Sequence, residues 1–184
     1  MPDPHELIPL TQPGQVDRSQ VRVKALAVIL DESASRHVVF RARNQAGQHF
    51  SRPLGGSVEL GELTRDAVVR EIREELGATF HPQHLLGVVE NIFELDGELG
   101  HEVDFLYVGR LAEPDVVPSE GRAYVDGDAP GWAEWRLVQG ADPSVALFPE
   151  QLQGLLEGWL DGGARDPRAT RASTAGLSDR DPGG

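Results

Sequence analysis

The sequence predicts an α+β domain, an α/β/α sandwich with a mixed central β-sheet, on three observations. β-rich apolar runs recur along the middle of the chain, two segments carry apolar residues at helical spacing, and the order is strands, one helix, more strands, one helix. Strict strand–helix alternation is missing, which argues against a doubly wound parallel fold. No internal repeat is visible.

Taken in order, residues 1–20 carry Pro2, Pro4, Pro9 and Pro13 without periodicity and read as an extended lead-in. VKALAVIL (23–30) reads as a buried strand, DESASR as a turn, and HVVFRAR (37–43) as the hairpin partner. A short strand at 49–54 delivers the chain to Gly55 and Gly56, a pair that marks tight geometry or close approach by a ligand. A helix follows, with Thr64 as N-cap, Asp66 in the first turn and Gly77 as the C-terminal stop.

HLLGVVENIFEL and EVDFLYVGRL then read as two strands joined through DGELGH, which has the composition of a hairpin. Residues 112–131 form a long loop rich in Pro, Gly and acids. WAEWRLV (132–138) is a last strand, and 149–160 is a helix with Leu152, Leu155, Leu156 and Trp159 on one face. The stretch 161–184 is small, polar and rich in Gly and Pro, the composition of a disordered tail. The domain is therefore expected at 21–160.

At 184 residues the chain is long enough for one domain with a real core and too short for two full ones. A formal net charge of -13 opposes polymeric nucleic acid and anionic membranes as partners, so an anionic small molecule binds only where a local base or cation reverses the sign. The absence of cysteine excludes disulfides, thiolate metal sites and a cysteine nucleophile. No signal-like start or membrane-length apolar run is visible, and the protein is expected in the cytoplasm. The six histidines lack metal-binding spacing such as H-E-x-x-H, so zinc is not indicated.

One helix is anomalous in charge. In GGSVELGELTRDAVVREIREELGA (55–78), Val68, Val69, Ile72 and Leu76 form an apolar stripe, while Glu71, Glu74 and Glu75 share another arc with no lysine beside them. Like charges at this spacing destabilise a helix by roughly 0.2–0.5 kcal/mol per pair. A solvated acidic face is the plain explanation. Against it, the glycine-rich turn brings Glu59 and Glu62 into the same neighbourhood, and hard cations such as Mg²⁺ bind carboxylate and carbonyl oxygens.

From Gly56, the succession of Glu62, Arg70-Glu71, Ile72, Arg73, Glu74-Glu75, Leu76, Gly77 and Ala78 resembles the complete signature of the Nudix (MutT-like) hydrolases, with Ala78 smaller than the usual aliphatic residue. The resemblance covers about 22–160, its strict motif 56–78. It implies a Nudix-type sandwich and a pyrophosphohydrolase that uses Mg²⁺, or Mn²⁺ in its place, to cleave a nucleoside diphosphate linked to another moiety. A (d)NTP, oxidised forms included, or an ADP-ribose-like nucleotide sugar is the expected substrate.

By position, the Gly55 carbonyl, Glu71, Glu74 and Glu75 would contact metal. Glu62 would support the metals, and Arg70 would orient the carboxylates. The general base stays open among Glu74, Glu102 and Glu120, the last two also being candidate substrate-binding residues with Arg52. His101-Glu102 reads equally as a surface pair at a hairpin mouth. Phe50, Phe93, Tyr107, Trp132 and Trp135 are candidates for base stacking or for core. Pairing into a homodimer is within what the resemblance implies. The alternative function is a Nudix-fold nucleotide-binding or regulatory module without turnover; an acidic scaffold unrelated to nucleotides would require the motif to be coincidence.

Overall fold

The computed structural model describes residues 20–126, 129–162 and 169–171. Two five-stranded sheets enclose a helix. The first sheet has the order β10-β5-β6-β1-β4, from β1 (Arg22–Ile29), β4 (Leu54–Ser57), β5 (Phe80–Leu95), β6 (Glu98–Leu111) and β10 (Ala169–Arg171). It is mixed, as expected: β1 runs parallel to β6 and antiparallel to β4, and β5 is antiparallel to β6. The second has the order β7-β8-β2-β3-β9, from β2 (Arg36–Arg43), β3 (His49–Arg52), β7 (Arg122–Asp126), β8 (Ala129–Leu137) and β9 (Ala146–Leu147).

Helix α1 (Thr64–Leu76) packs between the sheets. Its Ala67, Val68, Ile72 and Leu76 join Ala25 and Ala27 of β1, Val38 and Phe40 of β2, and Tyr107 of β6 in one buried cluster. Helix α2 (Leu152–Leu160) covers the other face of the first sheet, where Leu152 and Leu156 meet Leu26, Val28, Leu106 and Val108. Alternate residues of β1 thus serve two cores, as the period-2 strand dictates.

Several expectations change. The runs 23–30 and 37–43 do not form a hairpin; a single bridge joins Leu30 to His37, and the strands part into different sheets. Asp31 holds the corner, its carboxylate accepting from the backbone N–H groups of Ser35 and Arg36 and from Arg36 Nε. The strand read at 49–54 is split: β3 ends at Arg52, and β4 begins at Leu54 in the other sheet. Pro53 between them has no N–H to continue a ladder. The β5–β6 hairpin is present, turning through Asp96 and Gly97, both at positive φ.

Thr64 is the first helical residue and not the cap, because its hydroxyl lies 2.7 Å from Tyr107 Oη; Leu63 occupies the cap position without a side-chain bond. Gly77 ends the helix in the left-handed region, as read. The stretch expected to be one long loop, 112–131, contains a 3₁₀ turn at Pro114–Val116, β7 and the start of β8. Within the expected tail, the backbone of β10 pairs parallel with β5 at Val88–Glu90, an edge that offers unpaired N–H and C=O groups. The rest of that tail and the expected lead-in up to residue 19 lie outside the described residues. Among the described residues no helix is long and apolar enough to cross a membrane.

Candidate active site

The site forms where β4 hands the chain to α1. Gly55 and Gly56 lie opposite Leu26 and Ala25 of β1, and Gly55 has φ 126°. A Cβ on Gly55 would stand 2.2 Å from the Ala25 carbonyl oxygen, so only glycine lets β4 lie this close to β1. Gly56 is needed for another reason. A Cβ there would fall 2.3 Å from the carboxyl carbon of Glu71, so the absent side chain leaves the space that this carboxylate fills.

One turn further along α1, Glu75 is buried and its Oε2 accepts from Gly55 N–H at 3.0 Å. Glu74 points outward, with 59% of its side chain exposed against 13% for Glu71. Arg70 binds the arrangement together. Its Nε and Nη2 donate to the two oxygens of Glu62, each at 2.9 Å, while Nη1 reaches Glu71 at 2.9 Å and Glu74 at 3.2 Å. Nη2 also donates to the Ser57 carbonyl at 3.0 Å. Loop, strand end and helix are thereby fixed by one planar fork, which a lysine could not provide.

The electrostatics follow. Hydrogen bonds from Arg70, then from the Glu59 N–H, hold Glu62 down at about 2. Glu62 in turn raises the pKa of Arg70. Burial pushes Glu71 above the usual carboxylate range, against the pull of Arg70. The acidic arc is thus compensated by an arginine beside it.

A second polar group adjoins the first. The parallel register of β1 and β6 sets Arg22 beside Glu102 and Lys24 beside Asp104. Arg22 Nη2 donates to Glu102, which is buried. Asp104 is 1% exposed. Burial, then Glu102, raises its pKa to about 7, opposed by Arg52 and Lys24. Lys24 also acts on Glu71, so the two groups share a neighbour.

The model of the NUDIX domain matches residues 21–148, well over half of the chain. The chain belongs to the NUDIX family. A curated relative, the 8-oxo-dGTP diphosphatase of Escherichia coli K12, is 40% identical over 63 residues, a match that takes in 33% of this chain and 45% of that protein. The chain is thus matched to somewhat under half the length of this relative. Among solved structures, a NUDIX hydrolase from Nitrosomonas europaea superposes with a TM-score of 0.52 at 20% identity, covering 78% of this chain and 90% of that one. An ADP-ribose pyrophosphatase from Streptococcus suis 89-1591 superposes with a TM-score of 0.51 at 16% identity, covering 83% and 98%. At these identities the structural likeness concerns the fold.

In this NUDIX domain Gly55, Glu62, Arg70, Glu71, Glu74 and Glu75 come together. As the side chains stand, no three His, Asp or Glu residues among the described ones converge on a single ion position. Arg70 is spread among Glu62, Glu71 and Glu74, and Glu75 is turned onto Gly55 N–H, which accounts for it. In kind, the donor set fits a hard divalent cation: carboxylate and carbonyl oxygens, with one carboxylate seated in the cradle that Gly56 leaves open.

Arg52 stacks its guanidinium over Phe40 at 5.8 Å and acts on Asp104, so it and Glu102 belong to the second group. Glu120 is exposed, accepts from Ser119 Oγ, and is not joined to α1 by any bond the structure records. His101 pairs with Glu90 at 3.2 Å and not with the acids of α1. Tyr107 is core, and Trp135 donates its indole N–H to the Val117 carbonyl. Phe93 lies against Gly100, and Trp132 against Gly121. Phe50 meets Phe148 edge-on at 6.0 Å.

Sequence reasoning missed Asp104, Lys24 and the Ser57 carbonyl. A signal existed for the first: Glu102 and Asp104 alternate within a run otherwise apolar, which puts both acids on one face of β6.

Proposed function

We propose that the chain is a Mg²⁺-dependent pyrophosphohydrolase, Mn²⁺ serving in its place, that cleaves a nucleoside diphosphate linked to another moiety, with a (d)NTP or an ADP-ribose-like nucleotide sugar as substrate. The observation that carries this reading is the carboxylate of Glu71 seated against Gly56 and held by the Arg70 fork. The name of the Escherichia coli relative, an 8-oxo-dGTP diphosphatase, supports the nucleoside triphosphate arm.

Glu71, Glu74, Glu75 and the Gly55 carbonyl would hold the cation. When bound, it supplies charge neutralisation of the diphosphate and acidification of the attacking water. The chain's own contribution is positional. Arg70 fixes Glu62 and Glu71, the Gly55 N–H fixes Glu75, and Glu74, the most exposed of the three helix acids, is the group best disposed to accept the proton of water. Glu102 is less suited to that task, being ion-paired with Arg22. An acidic protein of net charge -13 then meets an anionic substrate through the cation. Small soluble diphosphates as the only ligands, with neither polymeric nucleic acid nor membrane, together with a cytoplasmic location and association as a homodimer, complete the proposal.

The test is a hydrolysis panel in Mg²⁺ and in Mn²⁺, covering nucleoside triphosphates, oxidised dGTP, ADP-ribose, dinucleoside polyphosphates and coenzyme A. Products are resolved by chromatography, with Glu74→Gln as control. Cleavage of one class, reduced by orders of magnitude in the variant, is the expected result. No product from any substrate would refute the reading, and tight binding without product would give the site a sensing role.

A further inference from the structure

The buried acid beside the catalytic group has a chemistry the proposed hydrolysis does not use. Asp104 sits in the middle of β6, 1% exposed, and neither carboxylate oxygen makes a hydrogen bond of full geometry. The Asn91 side chain on β5 is the one donor near enough to pull its pKa down, and it is the weakest of the influences acting on it. Buried polar groups are nearly always matched, so a buried carboxylate without a full hydrogen bond calls for an explanation.

Its surroundings locate it. Lys24 acts on both Asp104 and Glu71, and Arg52, on the strand that leads to Gly55, acts on Asp104. In the sheet, Asp104 pairs with Lys24 of β1 and Lys24 pairs in turn with Ser57 of β4, so Asp104 lies two strands from the residue that follows Gly56. Its charged neighbours Lys24 and Arg52 are long, rotatable side chains.

Resting on the proposed nucleotide hydrolysis, we infer that Asp104 is a specificity-determining residue that reads the base, its two open oxygens accepting from two adjacent coplanar N–H donors. The chemistry narrows the base. A guanine-type edge offers a ring N–H beside an exocyclic amine, whereas adenine and cytosine place an acceptor beside their amine, and uracil-type rings offer one N–H. Burial and Glu102 hold the pKa of this acid up at about 7, while Lys24 and Arg52 pull towards the ionised form that such a pair of donors requires.

Inosine nucleotides lack only the exocyclic amine, and so remove one of the two bonds. The full chain is to be assayed with GTP and ITP for kcat/KM and, by calorimetry, with GDP and IDP for affinity, alongside Asp104→Asn and Asp104→Leu, with thermal unfolding as the check on folding. One bond to a charged acceptor corresponds to a preference of about ten- to a hundred-fold for the guanine nucleotide. That preference is expected in the wild type and expected to vanish in both variants, with kcat changed less than KM.

Hydrolysis of GTP and ITP at equal kcat/KM by the wild type, or a preference unchanged in folded Asp104→Leu, overturns the inference and leaves the proposed function standing. A preference of GDP over IDP in binding that depends on Asp104, without turnover of any triphosphate, upholds the inference and removes the hydrolysis reading. Absence of any binding preference overturns the inference whatever the turnover.

Discussion

Alanine at Gly55 and alanine at Gly56 add the same methyl group to adjacent residues, yet the structure separates their effects. At Gly56 the new Cβ would stand 2.3–2.4 Å from all three carboxyl atoms of Glu71, against an ordinary contact of roughly 3.5–4.0 Å. Glu71 must therefore retreat by about 1 Å or more. What moves is the end of a rotatable side chain, so the fold is barely affected. A misplacement of that size in a catalytic constellation lowers turnover about 100-fold.

At Gly55 the Cβ would meet backbone, 2.2 Å from the Ala25 carbonyl oxygen, at φ 126°. Strain and overpacking together destabilise by roughly 2–5 kcal/mol, equivalent to about 5–15 °C in Tm for a domain of this size. The assay is differential scanning calorimetry of both variants beside kcat/KM on the best substrate of the hydrolysis panel. Gly56→Ala should keep its Tm within about 3 °C and lose about 100-fold in activity, whereas Gly55→Ala should lose Tm. Wild-type activity in Gly56→Ala, or equal loss of Tm in the two, would refute the view that Gly56 makes room for Glu71.

Arg70→Lys keeps the charge and loses the fork that reaches Glu62, Glu71, Glu74 and Ser57, so activity should fall about 10- to 100-fold. The same change should reshape the acid limb of stability: Glu62, lowered from 4.5 to about 2, contributes stability present above pH 4.5 and lost as the pH falls towards 2, and Tm against pH should flatten over that window in the variant. Asp104 behaves oppositely, because its folded pKa, raised from 3.8 to about 7, makes the folded state bind the extra proton and lose stability as the pH rises through that interval. Asp104→Asn should therefore raise Tm relative to wild type at pH 8, with the gain gone by about pH 4, which thermal scans at both values can decide. Leu156→Ala, removing a fully buried side chain of α2, should destabilise by about 2–5 kcal/mol while leaving kcat unchanged well below the melting point.

What was legible in the sequence was what repeats locally. The three- and four-residue spacing of Glu71, Glu74 and Glu75, the apolar stripe of α1, the stop at Gly77 and the Asp96-Gly97 turn depend on neighbours in sequence, and the structure keeps them. Where partners are distant, reading fails for a physical reason. Thr64 looks like a cap until Tyr107, from another element, takes its hydroxyl. The runs 23–30 and 37–43 look like a hairpin until each pairs more extensively elsewhere, β1 with β6 and β2 with β8.

The strands within 112–131 were obscured by Pro118, Gly121 and Gly131, and become recognisable only from the pairing of Arg122–Asp126 with Ala129–Ala133. In the site, the acids of α1 announced themselves by clustering. Asp104 showed only in its alternation with Glu102 along an apolar run, because its burial is made by other strands. Among the aromatic candidates, Tyr107 and Trp135 proved structural: one holds Thr64, the other the Val117 carbonyl.

On the proposed reading, carboxylates organised by Arg70 and seated by glycine hold a cation on which turnover depends. The most direct test is Glu71→Gln, which removes one charge and almost no volume, with Mn²⁺ affinity by calorimetry and kcat/KM measured on the same preparation. Cation affinity should fall by at least about 10-fold and turnover by about 100-fold or more, with Tm within about 3 °C of wild type. A folded Glu71→Gln that binds Mn²⁺ and turns over substrate as the wild type does would contradict it.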